Sequence, residues 1–297
     1  MPRIQANGID IEYETYGPQD GQPLLLVSGF TSQMIRWPDS LLEGFAQAGR
    51  RVIVFDNRDI GLTTEMVGHS VPSPKEIAHA IAGGCPPRHL VPYLLDDMAA
   101  DAVALLDGLG IDKADVMGFS MGGMIVQLIA LNHPERVRKL IPVMTTSGDP
   151  SLPPGDKEAM AALTAVPKSR SPEDIAEVAI VSAAAIGSHP DIRPTADEVR
   201  ARSMRDTARS DRPMGVARQY AAILAQPRWH ERLGEISQPA LVLHGAVDPL
   251  IRPAAGQDIA RRIPGARYVD IPDWGHDIPE AVVPRIVEIV NGFLDEA

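Results

Sequence analysis

Cysteine is nearly absent from this chain. Cys85 is the only one in 297 residues, which rules out an internal disulfide and any cysteine-rich metal site. Its surroundings, Gly83-Gly84-Cys85-Pro86-Pro87, read as plain loop and give a thiol nothing to activate it. Long apolar runs are missing too, so no segment spans a bilayer, and Met1-Pro2-Arg3-Ile4-Gln5-Ala6-Asn7 leads into strand-like sequence without a leader pattern. Positive charge is scarce. The 28 Lys and Arg against 39 Asp and Glu leave a net charge of −11, which disfavours contact with nucleic acid or an anionic membrane. The expectation is a soluble, cytoplasmic protein, monomer or homodimer, with neither nucleic acid nor membrane as partner. The length accommodates one large α/β domain, or a core plus a small appendage.

What is present alternates strands and helices. Ile9 to Tyr16 alternates apolar and polar residues, as a half-buried hairpin strand does. Pro23-Leu24-Leu25-Leu26-Val27 and Arg51-Val52-Ile53-Val54-Phe55 are continuous apolar runs, suited to central parallel strands covered on both faces. Between them Leu41, Leu42, Phe45 and Ala46 make a helical apolar face ended by Gly49, and a second helix is expected from Asp96 to Leu109. Asp96, Asp97 and Asp101 read as helix-start charges, not as a metal cluster. After a strand at Lys139 to Met144, residues 146–231 turn rich in Ala, Arg, Pro and Asp, with helical patterns and no clear buried strand. Strand character returns at Ala240 to His244 and Ala266 to Ile271, and an amphipathic helix runs from about Pro284 to Leu294. The spacing predicts an α/β core, residues 1–145 and 232–297, interrupted by a helical cap at 146–231.

The most informative run is Val116-Met117-Gly118-Phe119-Ser120-Met121-Gly122-Gly123-Met124. Gly118-x-Ser120-x-Gly122 is the pattern of a nucleophile elbow, a serine on a sharp strand-to-helix turn where neighbouring backbone leaves no room for side chains. Chance supplies such a match about 0.1 times in a chain this long. Here Ala114-Asp115-Val116-Met117 precedes it as a short strand, and Met124, Ile125, Leu128, Ile129 and Leu131 follow at helical spacing up to His133-Pro134.

A serine hydroxyl needs a base, and the base needs an orienting carboxylate. Of eight histidines, His276 stands in a loop after the last strand, whereas His69, His79, His89, His133, His189, His230 and His244 read as surface or structural. Asp248 follows the strand ending at His244. It is preferred over Asp270, Asp273 and Asp277 because it comes from a different strand end than His276. The order Ser120, Asp248, His276 is that of α/β-hydrolases. An oxyanion hole requires two donors, for which the amides of Met121 and Phe30 are the candidates. Gly29, Trp37, Met144 and Trp274, together with Phe30 and Met121, are candidates for a moderately hydrophobic pocket or, equally, for core.

On these segments, with Phe55-Asp56-Asn57-Arg58-Asp59-Ile60-Gly61-Leu62-Thr63 and Gly275-His276, the chain resembles the α/β-hydrolase-fold superfamily over almost its whole length. Within it the chain most resembles the carboxylesterase branch that includes aclacinomycin methylesterase. The resemblance implies Ser120 as nucleophile, Asp248 as acid, His276 as base, Phe30 and Met121 as oxyanion amides, and a helical cap that shapes the substrate pockets. Two departures stand out. Ser28-Gly29 occupies the place of His-Gly in many relatives, and residues 66–90 form a longer segment, either an extra lid or a surface loop.

The expected chemistry is hydrolysis of a small-molecule carboxylic ester through an acyl-enzyme, with no metal or organic cofactor. Serine at the elbow argues against haloalkane dehalogenase and epoxide hydrolase chemistry, which use aspartate there. Lactonase, thioesterase, perhydrolase and C–C bond hydrolase activities stay open, as does a receptor that binds a small molecule without turnover.

Overall fold

The computed structural model describes residues 2–296. Eight strands form one sheet: β1 (Arg3–Ala6), β2 (Ile9–Tyr16), β3 (Gln22–Val27), β4 (Arg50–Phe55), β5 (Ala114–Phe119), β6 (Val137–Val143), β7 (Leu241–Gly245) and β8 (Arg267–Ile271). Their order is β1-β2-β4-β3-β5-β6-β7-β8, antiparallel at β1-β2 and β2-β4 and parallel from β4 onward. The helices are α1 (Asp39–Gln47), α2 (Pro74–Ala82), α3 (Leu95–Gly108), α4 (Met121–Asn132), α5 (Lys157–Leu163), α6 (Pro172–Ile186), α7 (Ala196–Arg209), α8 (Pro213–Ala225), α9 (Pro253–Arg262) and α10 (Val283–Asp295).

The continuous apolar runs are explained by burial on two faces. Leu25, Val27, Ile53, Phe55 and Val116 join a core cluster with residues of α3 and α4. Their alternates Leu24, Leu26, Val52, Val54 and Met117 join a second cluster with residues of α1 and α10. Each such fully buried side chain contributes about 1.5–3 kcal/mol through removal of apolar surface from water. Helix α4 is covered all round, with every residue from Met121 to Leu131 buried, which is why its sequence lacks a polar face.

This topology sets the site. The chain runs outward from β3 to β4 on one side and returns to β5 on the other, so the strand order reverses beside β3. Ligands in open α/β sheets sit at the carboxyl ends of the strands near such a reversal. The loops after β3, β5, β7 and β8 all leave that edge. Helices α5 to α8 lie between β6 and β7.

Two elements depart from the sequence reading. The segment 66–90 holds α2, opened by a capping box in which the Ser73 hydroxyl accepts from the Glu76 amide and the Glu76 carboxylate accepts from the Ser73 amide. It packs on α8, so it is more than a bare surface loop. Helix α9 was not anticipated, although Pro253 at its first position is an ordinary start signal. Among the described residues, no helix is long and apolar enough to cross a membrane, and no group of histidine, cysteine and acidic side chains has metal-binding geometry.

Candidate active site

Ser120 sits between β5 and α4 with φ 54° and ψ −119°, the left-handed strain expected of an elbow. The flanking glycines are sterically required. A Cβ on Gly122 would lie 2.0 Å from the Val27 carbonyl oxygen, and one on Gly118 would lie 2.1 Å from the Gly122 carbonyl oxygen. The turn is fixed by its own backbone: the Ser120 amide donates to the Val143 carbonyl at 3.0 Å, and the Ser120 carbonyl accepts from the Thr145 hydroxyl at 2.7 Å.

The hydroxyl of Ser120 lies 2.9 Å from Nε2 of His276, and Nδ1 of His276 lies 2.7 Å from Oδ2 of Asp248. A carboxylate only accepts, so the ring proton belongs on Nδ1 and Nε2 is left to accept from Ser120. Asp248 is 1% exposed, and its other oxygen accepts from the amides of Leu250 and Ile251, each at 2.9 Å. Three residues distant in sequence are thereby brought into one relay.

His244 supports the acid from behind. Nε2 of His244 donates to the Ile251 carbonyl at 2.8 Å and stands 3.6 Å from Asp248 Oδ2. Burial pushes its pKa down, opposed by the Asp248 charge, and keeps the ring neutral. The competing carboxylates stand elsewhere: Asp270 lies within β8, Asp273 is exposed, and the Asp277 carboxylate accepts from the Ser188 hydroxyl.

The loop after β3 runs beside the elbow. A Cβ on Gly29 would lie 3.2 Å from Ser120 Cβ, and Asn57 donates to the Ser28 carbonyl at 3.0 Å. Neither the Met121 nor the Phe30 amide is taken up by an acceptor among the described residues. Thr31, at φ 64°, donates its amide to Oε1 of Gln219 at 3.3 Å, and the Phe30 ring lies 5.8 Å from that of Tyr220. Gln219 and Tyr220 belong to α8, and nothing in their local sequence marks them out. A groove of about 300 Å³ opens between α2 and α8, lined among others by Val71, Ile77, Met214, Tyr220 and Leu224.

Asp56 explains the Phe55 to Thr63 segment. It is fully buried and accepts from the amides of Met34 at 2.8 Å and Leu62 at 2.9 Å, with Arg209 at 2.7 Å. Desolvation pushes its pKa up, while those amides and Arg209 pull it back. A Cβ on Gly61, at φ 58°, would sit 2.1 Å from the Asp56 carboxylate, so only glycine fits.

The pocket candidates divide. Gly29 stands at the elbow, but Trp274 is fully buried and offers no surface to a substrate. Trp37 and Met144 are nearly as covered, and the Trp37 ring packs edge-on to Phe119 at 5.0 Å. All three belong to the core cluster beneath the strand ends, which takes up large apolar side chains there before a cleft can use them.

The fold and this arrangement define the class. Residues 22–280 match the family model described as alpha/beta hydrolase fold, and the chain belongs to that family. It is an enzyme, a hydrolase of the carboxylesterase type. Rhodomycin D methylesterase of Streptomyces peucetius is 29% identical, over 94% of this chain and 93% of its own length. The 3-oxoadipate enol-lactonase 2 of Acinetobacter baylyi is 26% identical, over 88% of this chain and 84% of its own length. Among solved structures, the enol-lactonase from Burkholderia xenovorans LB400 superposes with a TM-score of 0.75 at 22% identity, over 99% of this chain and 100% of that one, a likeness of fold.

Proposed function

We propose that this hydrolase cleaves a carboxylic ester of a small, moderately hydrophobic molecule through a covalent acyl-enzyme formed on Ser120. The observation that carries the reading is the relay from Ser120 through His276 to Asp248, at 2.9 and 2.7 Å. His276 takes the hydroxyl proton at Nε2 as Ser120 Oγ attacks the ester carbonyl. Asp248 holds the productive tautomer and offsets the imidazolium charge. The amides of Met121, at the N-terminus of α4, and Phe30 receive the oxyanion, and each such donor is worth about 3–4 kcal/mol of barrier. When the tetrahedral intermediate collapses, His276 protonates the leaving alcohol. Water then takes the alcohol's place and gives its proton to His276 as it attacks, and His276 passes that proton to Ser120 Oγ as the acid leaves. No step is routed through a metal or organic cofactor.

In this reading residues 146–231 act as a cap over the strand ends. Support comes from α8, which meets the Phe30-Thr31 loop through Tyr220 and Gln219 and forms one side of the apolar groove. A methyl ester is the first substrate to try, because one full-length relative is a methylesterase. A second reading, opening of a lactone on the same machinery, is favoured by the enol-lactonase relative and needs the same groups.

The test combines labelling with turnover. A fluorophosphonate probe should label the wild-type chain and not Ser120→Ala, and a panel of p-nitrophenyl esters, methyl esters, lactones and thioesters should rank the carbonyl preferred. Labelling that survives in Ser120→Ala overturns the nucleophile assignment. Tight small-molecule binding with neither labelling nor turnover identifies a receptor instead.

A further inference from the structure

The loop that carries His276 is tied along its length to residues 186–189, at the C-terminal end of α6 in the helical insertion. The His276 amide donates to the Ile186 carbonyl at 2.8 Å, and the His189 amide donates to the Asp273 carbonyl at 2.8 Å. The Ser188 hydroxyl accepts from the Gly275 amide at 3.0 Å and donates to Oδ1 of Asp277 at 2.5 Å. The Ser188 amide donates to the same oxygen at 3.1 Å. The two backbones touch, since a Cβ on Gly275 would lie 2.3 Å from the Gly187 carbonyl oxygen. Ser188 is 2% exposed, so one hydroxyl, used as donor and acceptor at once, links the insertion to both neighbours of His276.

We propose that Ser188 and Asp277 form a positioning pair for His276: the insertion sets the place of the ring through the Ser188 hydroxyl, and the Asp277 carboxylate adds a second negative charge favouring the imidazolium formed as Ser120 attacks. The inference rests on the reading of His276 as the base. A buried carboxylate needs a reason to be there, because removing it from water is costly unless its bonds and its field are used. Burial pushes the Asp277 pKa up, while the Ser188 hydroxyl and amide, then His276, then Arg202 of α7, pull it back. Asp248 meets the His276 ring at Nδ1 with the buried His244 behind it, and the carboxylate of Asp277, the next residue along the chain, interacts electrostatically with His276. The C-terminal carbonyl of α6 adds the negative end of a helix dipole at the His276 amide.

The test is the pH dependence of kcat and kcat/KM on a p-nitrophenyl ester, for wild type, Asp277→Asn, Ser188→Ala and Ser188→Thr. Asn keeps an acceptor for Ser188 and drops the charge. The acid limb of Asp277→Asn should move down by about half to one pH unit, because a lost negative charge makes the imidazolium less favourable. Its plateau kcat should fall about three- to tenfold with KM within about twofold, as expected of an interaction stronger in the transition state than in the ground state. Ser188→Ala should lose about tenfold in kcat, and Ser188→Thr, which retains the hydroxyl, should recover most of it. If the Asn chain does not fold, Asp277→Ser makes the same charge comparison at smaller volume. A limb that is abolished in His276→Ala yet unmoved in the Asp277 variants overturns this inference alone. Activity and limb that persist in His276→Ala overturn the base assignment beneath it. Equal losses in Ser188→Ala and Ser188→Thr overturn the role of the hydroxyl.

Discussion

The strand-end loops of the sheet and the helical insertion at residues 146–231 do different work. The three residues of the hydrogen-bonded relay stand on the sheet side: Ser120 after β5, Asp248 after β7 and His276 after β8. Ser120 directly follows its strand, whereas Asp248 and His276 stand three and five residues beyond theirs. The insertion brings no member of the relay. It brings contacts to the loop after β3 and to the loop that carries His276: Gln219 to the Thr31 amide, Tyr220 to the Phe30 ring, and Ser188 to both sides of His276. The hydrogen-bonded relay and the contacts that brace its surroundings thus come from different parts of the chain.

That division is broken most directly at Ser120. Ser120→Ala should lower kcat by about 10⁵–10⁶ while the thermal midpoint stays close to that of the parent, because the change removes only a partly buried hydroxyl. Turnover of a nitrophenyl ester and a thermal melt measure both. If the loss is only about tenfold, the sheet side does not hold the nucleophile and the comparison fails.

The second expected effect is on stability. Arg218 of α8 makes a bidentate pair with Asp59 of the β4–α2 connection, with both contacts at 2.8 Å and both side chains buried. Replacing one member strands the other charge, so Arg218→Met should lose about 3–5 kcal/mol in urea unfolding. Per folded molecule, its kcat should change far less than that of Ser120→Ala. A stability loss below about 1 kcal/mol would mean that the insertion is joined to the sheet mainly through other contacts.

The division also governs what could be read in advance. The elbow at Ser120 and its approach to His276 and Asp248 were legible because their constraints are local: glycines where a Cβ would strike backbone, apolar runs for strands, and chain order for the relay. Residues 55–63 carried a further local constraint, the glycine at 61 that makes room for the Asp56 carboxylate. Gln219, Tyr220 and Ser188 were not legible. They lie in Ala- and Arg-rich helices or an unremarkable turn, and their roles arise from partners some 90 to 190 residues away. Trp274, open to either a pocket or a core reading beside His276, falls to the core, where packing claims it. Periodicity identifies a buried face without saying what covers it.

A smaller effect sharpens the placement side. Gln219 is fully buried, accepts from the Thr31 amide and donates to the Arg58 carbonyl at 3.1 Å. Gln219→Ala frees the loop that carries the Phe30 amide, so kcat/KM for an ester should fall about tenfold, less than the cost of deleting an oxyanion donor outright. Affinity for a transition-state analogue such as a trifluoromethyl ketone should weaken in parallel. Unchanged analogue affinity would show that Thr31 holds its conformation without α8.

The smallest effect tests the sheet side through pH. His244 of β7 has its pKa lowered chiefly by burial, so the unfolded chain binds a proton that the native ring refuses. Its neutral form therefore favours folding fully above the ordinary histidine range, and stability declines as pH falls through that range toward the lower native value. His244→Gln can still place a donor near the Ile251 carbonyl but cannot titrate. Its unfolding free energy should vary less than that of the wild type between about pH 7 and pH 5. Parallel curves would mean that His244 becomes protonated in place, and that the Asp248 loop tolerates a charged ring 3.6 Å from its carboxylate. The sheet side would then owe its rigidity to the amides of Leu250 and Ile251, with no contribution from a neutral His244.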